Sequence, residues 1–93
     1  MRFSQRPRVE IIGDMLDASR HGRTKTGIMR ASKLNFPLAC QYIQSLRDAE
    51  LLKRMPPGSI SSGGETYQTT DKGLRYLKIY RRLKGTIRRL PRQ

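Results

Sequence analysis

The spacing of apolar residues predicts three helices in the first half of the chain, and the first of them begins near the N-terminus. From Val9 to Ser19 the apolar or small residues recur every three or four positions, the period of a helix with one buried face. Pro7 precedes this stretch, where proline is tolerated because the first N–H groups of a helix have no partner. With Gly22 as its end, the pattern predicts a first helix over residues 8–21.

A short second helix is predicted directly after a polar turn. Thr24 is a favourable N-cap, because its hydroxyl oxygen can accept a hydrogen bond from a backbone N–H group of the first turn. The helix predicted from this cap covers residues 25–32 and directs Ile28 and Ala31 inward.

The third predicted helix differs from the rest of the chain in having no charge over residues 35–46. Asn35 is a good N-cap, and Pro37 falls in the first turn, where proline is tolerated. The apolar positions are three and four residues apart, which predicts a buried face formed by Phe36, Ala39, Ile43 and Leu46, with Tyr42 at its margin.

The second half of the chain predicts a β-hairpin and a long helix. The segments LLKRM and ETYQT have the composition of strands, and PPGSISSGG between them is turn material. Thr70 and Asp71 suit the start of a last helix over residues 71–90, because a capping hydroxyl and an acidic side chain both stabilise a helix N-terminus. This order predicts a winged helix-turn-helix, a mainly α fold with a small β-hairpin in the α+β class.

The charge of the chain points to a polyanionic partner. Its 93 residues suffice for one small domain, and 20 Lys and Arg against 7 Asp and Glu give a formal net charge of +13. Nucleic acid is the first candidate and an anionic membrane surface is the second. No strongly amphipathic basic helix opens the chain, and no apolar run approaches the ~20 residues of a membrane span. Nucleic acid is therefore favoured, and no membrane partner is predicted.

Residues suited to catalysis or metal binding are few. The chain has one cysteine, Cys40, and one histidine, His21. An internal disulfide is therefore impossible, and a structural zinc site, which needs about four ligands, is not expected. The segment PPGSISSGG lies in a hairpin and not between a strand and a helix, so it is not a nucleotide-binding loop. We expect no enzyme activity, cofactor, metal or small-molecule ligand, and a cytoplasmic, nucleoid-associated location.

The outer face of the third helix is the candidate surface for contact with base edges, because the second helix of a helix-turn-helix enters the major groove. If the apolar face is buried, the residues that point outward are Asn35, Pro37, Leu38, Gln41, Gln44 and Ser45. Glutamine can form paired hydrogen bonds with adenine. The alternatives are an ordinary solvated helix face and a protein-contact surface built around Leu38.

Candidate phosphate ligands surround this helix in the sequence. They are basic side chains, together with two threonines at a helix N-terminus, where backbone N–H groups favour anions: Arg23, Thr24, Lys25, Thr26, Arg30, Lys33, Lys53 and Arg54. The alternative is that these charges are solvated surface groups. For the hairpin turn at residues 59–62, contact with the minor groove and a mobile loop without contact are both open.

The last helix has two apolar stripes, which suggests that one is used by a partner. Leu74 and Leu77 are expected to pack onto the winged domain. The other stripe has near-heptad spacing, and its candidate dimerisation residues are Tyr76, Ile79, Tyr80, Leu83, Ile87 and Leu90. We therefore divide the chain into a winged helix-turn-helix domain with a basic N-terminal arm, residues 1–70, and a basic dimerisation helix, residues 71–93. The alternative is one long helix packed on its own domain.

Three segments resemble a family of small archaeal winged-helix DNA-binding proteins: TKTGIMRASKLNF, QYIQSLRDAELL and YQTTDKGLRYL. The family includes an abundant basic chromatin protein that dimerises through a C-terminal antiparallel coiled coil. The resemblance covers residues 9–83 and implies a winged-helix fold, an antiparallel coiled-coil homodimer and binding of duplex DNA with modest sequence preference. The chain departs from the family pattern at Pro37 and Leu38, where polar or basic residues are more usual, and at Glu50, where a turn glycine is usual.

These observations together favour a homodimeric protein that binds double-stranded DNA, as a transcription regulator or as a chromatin protein. The two roles use the same fold and differ in the ratio of specific to non-specific affinity. From a different class, the alternative is a winged-helix module for protein interaction, whose basic charge would serve an acidic partner or structured RNA.

Overall fold

The computed structural model of the chain describes residues 7–56 and 64–90. These residues form, in order, α1 (Arg8–Ala18), β1 (Arg23–Thr24), α2 (Lys25–Ser32), α3 (Phe36–Asp48), β2 (Leu52–Arg54), β3 (Thr66–Thr69) and α4 (Asp71–Arg88). The strands form one antiparallel sheet in the order β1-β3-β2. The predicted α+β winged helix-turn-helix with a C-terminal helix is confirmed. The expected N-terminal arm at residues 1–6 and the turn at residues 59–62 lie outside the described residues.

Helices α2, α3 and α4 each begin at a side chain that accepts a hydrogen bond from the first turn. The hydroxyl oxygen of Thr24 accepts from the backbone N–H three residues later at 3.1 Å, and the carboxamide oxygen of Asn35 does the same at 2.9 Å. The hydroxyl oxygen of Thr70 accepts in the same way at 3.0 Å. Such a cap stabilises a helix by about 1 kcal/mol relative to alanine. The predicted N-caps are therefore confirmed.

The sheet contains a strand that the sequence pattern did not predict. β1 consists of Arg23 and Thr24, which lie opposite Tyr67 and Thr66 of β3. Two residues show no alternation of apolar and polar positions, so β1 is defined by its pairing and not by its own sequence. Through this pairing, the start of α2 is attached to the central strand of the sheet.

The core is formed by α1, α2, α3, the sheet and the first half of α4. Its most deeply buried apolar side chains are Met15, Leu16, Ile28, Ala39, Ile43, Leu46, Leu52, Tyr67 and Leu77. The buried hydroxyl of Thr69 donates a hydrogen bond to the carbonyl oxygen of Leu16 at 2.6 Å. This bond satisfies a polar group inside the core and holds β3 to the last turn of α1.

Two residues predicted to face inward are instead exposed. Phe36, the first residue of α3, is 53% exposed, because the buried ridge of this helix begins only at Ala39. Ala31 is exposed because the buried positions of α2 are Ile28 and Ser32, which are four residues apart and therefore share one face.

The apolar stripes at the two ends of the domain are also placed differently from the prediction. Val9 is 44% exposed in the first turn of α1, and Ile11 is buried in its place. Leu74 is 40% exposed, whereas Leu77 is buried as predicted, so only one of these two leucines packs fully onto the domain. Both exposed residues lie in the first turn of a helix, where fewer neighbouring elements cover them.

The first helix is shorter than predicted, because it ends at Ala18 and not at residue 21. The hydroxyl of Ser19 donates to the carbonyl oxygen of Met15 at 2.8 Å and so caps the last turn from a buried position. Gly22 follows with a φ of 91°, a left-handed conformation that favours glycine and turns the chain into β1.

The first half of α4 packs against α1. The hydroxyl of Tyr76 donates to the carbonyl oxygen of Val9 at 3.3 Å, and Arg81 forms an ion pair with Asp17. After Arg81 the large apolar side chains of α4 are exposed. The helix therefore begins inside the domain and ends as an apolar and basic surface.

Candidate nucleic-acid interface

The outer face of α3 is the centre of the candidate interface. Ala39 and Ile43 are buried, and with about 3.6 residues per turn the opposite side of the helix is formed around Gln41. The structure places every candidate base-reading residue at the surface: Asn35, Pro37, Leu38, Gln41, Gln44 and Ser45. The sequence pattern therefore identified an exposed and uncharged helix face.

Two of these polar side chains already have hydrogen-bond partners. The carboxamide oxygen of Asn35 caps α3, as described above. Nε2 of Gln44 donates to Oδ1 of Asp48 at 3.0 Å, one turn further along the helix. Asp48 also places a negative charge at the end of the outer face, beyond the uncharged stretch that the sequence indicated. Gln44 is thus the glutamine whose side chain is already bonded to an acidic neighbour.

Open depressions lie on both sides of α3. A groove of about 400 Å³ separates it from α1, with Leu38, Gln41, Ser45, Ile12 and Arg8 among its lining residues. A hollow of about 450 Å³ lies between α3 and β2, with Gln44, Arg47, Lys53 and Arg54 among its lining residues. Each depression therefore has basic lining residues: Arg8, which the sequence pattern missed, on the α1 side, and Arg47, Lys53 and Arg54 on the β2 side. The hollow on the β2 side is also lined by the acidic Asp48 and Glu50.

The candidate phosphate ligands differ in how accessible they are. The exposed ones are Arg23, Thr26, Arg30, Lys33, Lys53 and Arg54, whereas Thr24 and Lys25 are half-buried. The Thr24 hydroxyl accepts the capping hydrogen bond of α2. Lys33 has a left-handed backbone with a φ of 58° and forms the turn between α2 and α3. Of this set, Lys53 and Arg54 share a hollow with α3, and Lys33 lies in the turn that leads into it.

Glu65 is the residue that sequence reasoning missed at this site. Its Oε1 lies 3.6 Å from Nζ of Lys25, and its Oε2 lies 3.7 Å from Nη2 of Arg54. The hydroxyl of Tyr67 also donates a hydrogen bond to Oε1. That hydrogen bond, followed by the positive charges of Arg54 and Lys25, lowers the pKa of Glu65. One carboxylate therefore joins α2 to the two strands of the hairpin.

Tyr67 connects this carboxylate to α3. Its ring is buried, and the guanidinium of Arg47 lies 5.7 Å from the ring centroid, within the range of a cation–π contact. Burial, then the hydrogen bond to Glu65, raises the pKa of the Tyr67 hydroxyl to about 12. The sequence signal was weak: Glu65 and Tyr67 are two residues apart, so they point to the same side of an extended chain.

The candidate dimerisation residues of α4 fall into two groups. Ile79, Leu83 and Ile87 are 65%, 52% and 56% exposed on α4. Leu90 is 56% exposed just beyond the helix, which ends at Arg88 and not at the predicted residue 90. Their spacing of four, four and three residues puts these four side chains in one apolar stripe, the aliphatic stripe of α4. Tyr76 and Tyr80 are half-buried against α1. The tyrosines thus serve the contact between α1 and α4, and the exposed stripe consists of the four aliphatic side chains.

Other chemistry is sparse in the part of the chain that the structure describes. Within residues 7–56 and 64–90, no three His, Cys, Asp or Glu side chains lie close enough to hold a metal ion. Cys40 is a free, half-buried thiol on α3. In the same ranges, no helix is both long enough and apolar enough to cross a membrane.

A helix-turn-helix followed by a β-hairpin that pairs with a short strand before α2 defines a winged-helix domain. The chain belongs to the winged helix-turn-helix family, because the model of that family matches residues 5–88. The family resemblance found in the sequence is thereby confirmed. No curated protein is similar enough to the chain to count as a match.

Three solved structures share the fold. Sso10a-2, a DNA-binding protein from Sulfolobus solfataricus, has a TM-score of 0.76 at 18% identity, over 89% of this chain and 83% of that one. YodB from B. subtilis, treated with diamide, has a TM-score of 0.67 at 13% identity, over 96% and 85%. A mutant of MepR from S. aureus, bound to an oligodeoxyribonucleotide, has a TM-score of 0.64 at 14% identity, over 89% and 63%. At such identities the likeness establishes the fold alone.

Proposed function

We propose that the chain is a homodimeric double-stranded DNA-binding protein in which α3 enters the major groove. The observation that carries the proposal is the exposed, uncharged outer face of α3 with basic side chains on both flanks. Gln41 offers a paired hydrogen bond to adenine, worth about 1–3 kcal/mol of discrimination against another base. Gln44 can form the same kind of paired hydrogen bond with adenine once its side chain releases the hydrogen bond to Asp48.

The surrounding cations bind phosphates in this proposal. Exposed basic groups of the turn and α2 approach one strand, and Lys53 and Arg54 of β2 approach the other side of the groove. Thr24 and Thr26 belong to the same set through the N-terminus of α2, where backbone N–H groups favour an anion. Such contacts give affinity without sequence preference and make the affinity depend on salt.

The similar structures support this proposal through what is stated of those proteins. Sso10a-2 is a DNA-binding protein, and the MepR mutant was solved with an oligodeoxyribonucleotide bound. Both proteins have the same fold as this chain, including the helix-turn-helix. The net charge of +13 is an independent argument for a polyanionic ligand.

We propose residues 71–93 as the dimerisation region, with the winged domain in residues 1–70. The aliphatic stripe of α4 steps by four, four and three residues from Ile79 to Leu90, close to the heptad spacing of an antiparallel coiled coil. Large aliphatic side chains exposed in a row mark an interaction surface more often than a solvated one. Tyr76 and Tyr80 support the pairing by fixing α4 on α1.

The same architecture serves a transcription regulator and a nucleoid-associated protein, which differ in specificity. A regulator needs α3 to discriminate strongly between sequences, whereas a chromatin protein relies on its phosphate contacts. Either role places the protein with the DNA of the cell, in the nucleoid.

The test is binding to one random-sequence and several genomic duplexes across a salt series, for wild type and for Gln41→Ala/Gln44→Ala. For a regulator, the variant loses its preference among sequences while the salt slope stays at about −0.9 per phosphate neutralised. For a nucleoid-associated protein, all duplexes bind with the same affinity, and the variant binds as the wild type does. Absence of duplex binding at low salt refutes the proposal.

A protein-interaction module is the second candidate function, and the groove between α1 and α3 favours it. Leu38, Tyr42 and Ile12 line this groove, and Arg8 is the charged residue among its described lining residues. An acidic segment with an apolar side chain would fit such a surface. This candidate predicts binding to an acidic peptide and no binding to duplex DNA; preference for structured RNA would indicate a third role.

A further inference from the structure

The N-terminal tip of α3 exposes three apolar residues in a row. Phe36 is 53% exposed, Leu38 is 36% exposed, and Pro37 between them is exposed as well. We call these three residues the apolar tip. A phenylalanine ring is normally buried, and this one is not part of the core that the described residues form. The exposure of Phe36 therefore calls for a ligand that supplies apolar contact at this position.

The surroundings of the apolar tip restrict what this ligand can be. Arg30 and Lys33 precede it on α2 and the turn, and both are exposed. A second copy of the chain docked at this tip would bring its own Arg30 and Lys33 against the same two cations, and like charges repel. The ligand that fits is one that presents small apolar groups between anionic ones.

The major groove of DNA has this chemistry. The C5-methyl group of thymine is the apolar group that base edges present there, and phosphates border the groove on both sides. In a helix-turn-helix, the N-terminal residues of the second helix are the ones that approach base edges. Residues four apart form a row along a helix surface, so Phe36 and Cys40 share one row and Pro37 and Gln41 share another. These two rows are neighbours, and the ring of Phe36 therefore lies beside the row that carries Gln41.

We propose that the apolar tip reads thymine, with Phe36 in contact with the C5-methyl group. The inference rests on the proposed function, since it requires α3 in the major groove, and it adds a residue and a base to that function. Phenylalanine has no hydrogen-bonding group, so its discrimination depends on the methyl group itself. Thymine contacted by Phe36 and adenine contacted by Gln41 together give a preference for A·T base pairs.

The experiment compares two duplexes of the same sequence, one with thymine and one with deoxyuridine at every thymine position. Deoxyuridine keeps the hydrogen-bonding edge and lacks only the methyl group. For wild type, we expect affinity to fall about fourfold for each methyl group lost from contact, the ratio that follows from about 0.8 kcal/mol per buried carbon and 1.4 kcal/mol per factor of ten. Phe36→Ala is expected to bind both duplexes alike, and Phe36→Leu to retain part of the difference.

Val9→Ala is the matched control, because Val9 is an exposed apolar residue on α1, 44% accessible, outside the apolar tip. It should discriminate as wild type does, and thermal unfolding should show both variants folded. Equal binding of the two duplexes by wild type overturns the inference and leaves the proposed function intact. Discrimination that survives in Phe36→Ala overturns it too, since another residue then reads the methyl group. Failure to bind either duplex at low salt refutes the proposed function itself.

Discussion

The aromatic ring of Tyr80 lies against the backbone of Gly13, so α1 and α4 meet where α1 has no side chain. A Cβ atom added to Gly13 would lie 2.5 Å from Cε2 and 2.9 Å from Cζ of this ring. Carbon atoms pack best at about 3.5–4.0 Å, so even a methyl group does not fit. The buried hydroxyl of Tyr80 has no hydrogen-bond partner among the described residues, so the ring is held by its packing on α1 and by Lys84, whose Nζ lies 5.6 Å from the ring centroid.

Gly13→Ala is therefore expected to destabilise the fold by about 1–3 kcal/mol, the usual cost of overpacking. Denaturant unfolding measures this change. Gly85→Ala is the matched control, because the same substitution on α4 meets nothing within 4 Å. There alanine should stabilise the helix by about 1 kcal/mol over glycine. If both variants gain stability alike, the ring of Tyr80 does not pack on α1 in solution.

Glu50 occupies a backbone conformation that suits glycine. Its φ is 63°, its N–H donates to the carbonyl oxygen of Arg47 at 2.9 Å, and its own carbonyl accepts from the hydroxyl of Thr70 at 2.7 Å. The turn between α3 and β2 is thus fixed in the left-handed region, at the position where the resemblance led us to expect glycine. A residue with a Cβ atom there costs about 1–2 kcal/mol.

Glu50→Gly should stabilise the protein by about 0.5–1 kcal/mol, because relief of strain exceeds the added freedom of the unfolded chain. Ala49→Gly, one residue earlier with a φ of −84°, provides the comparison. Ala49→Gly relieves no backbone strain, so this variant should lower the stability of the fold. Thermal unfolding of the two variants beside wild type gives the answer, and a loss of stability in both would show that the turn is not left-handed.

The sequence predicted the helices well because their signals are local. The bounds of α2 agree with residues 25–32, and the caps at Thr24, Asn35 and Thr70 are as expected, since each cap depends only on a side chain and the turn that follows it. The exposure of the outer face of α3 also follows from periodicity within one helix. The winged helix-turn-helix could therefore be derived from spacing, turn residues and element order.

The parts that could not be predicted depend on contacts distant in sequence. Phe36 fits the apolar period of α3, but its burial depends on whether another element covers the first turn, and no helix or strand within residues 7–56 and 64–90 buries it. Glu65 is a single acidic residue in a hairpin until the fold brings Lys25 and Arg54 to it. β1 likewise exists only through its pairing with β3. Periodicity carries no information on such tertiary contacts.

Alkaline pH should destabilise the fold through Tyr67. Its pKa is raised from 10.0 to about 12 by burial and by the hydrogen bond to Glu65. Between pH 10 and about 12, the Tyr67 hydroxyl therefore keeps its proton in the folded state and loses it in the unfolded state. This contribution to stability is fully present below pH 10 and is lost as the pH rises toward about 12.

Tyr67→Phe should flatten the decline in stability across that interval, because no proton remains to be lost at this position. The same variant removes the main cause that lowers the pKa of Glu65, so the loss of stability on the acid side, below 4.5, should shrink as well. Unfolding free energies measured over a pH series test both expectations. An alkaline decline equal to that of wild type would assign the effect to another group.

The aliphatic stripe of α4 should determine the oligomeric state. Leu83→Glu places a carboxylate in the middle of this stripe, where Leu83 is 52% exposed in the single chain. We expect the variant to be monomeric and folded, because the substituted side chain is outside the core. Leu74→Glu, 40% exposed on the other side of the same helix, is the control and should leave assembly unchanged. Sedimentation velocity at several concentrations distinguishes a dimer that dissociates from a chain that was monomeric throughout.

Glu65 should limit the affinity for duplex DNA under the proposed function. Its carboxylate lies within 4 Å of Lys25 and Arg54, so a phosphate must compete with it for both cations. Glu65→Gln removes this competition and keeps an oxygen that can accept the hydrogen bond from Tyr67. We expect tighter binding at low salt and a salt slope that steepens by about 0.9 for each additional phosphate neutralised.

Glu10→Gln separates this local effect from a general change in charge. It changes the net charge by the same amount, but Glu10 lies in the first turn of α1, away from Lys25 and Arg54. Its salt slope should equal that of wild type, because no further cation becomes available to a phosphate. If the two variants gain the same affinity with the same slope, Lys25 and Arg54 do not contact the backbone of DNA, and Glu65 serves only to join α2 to the hairpin.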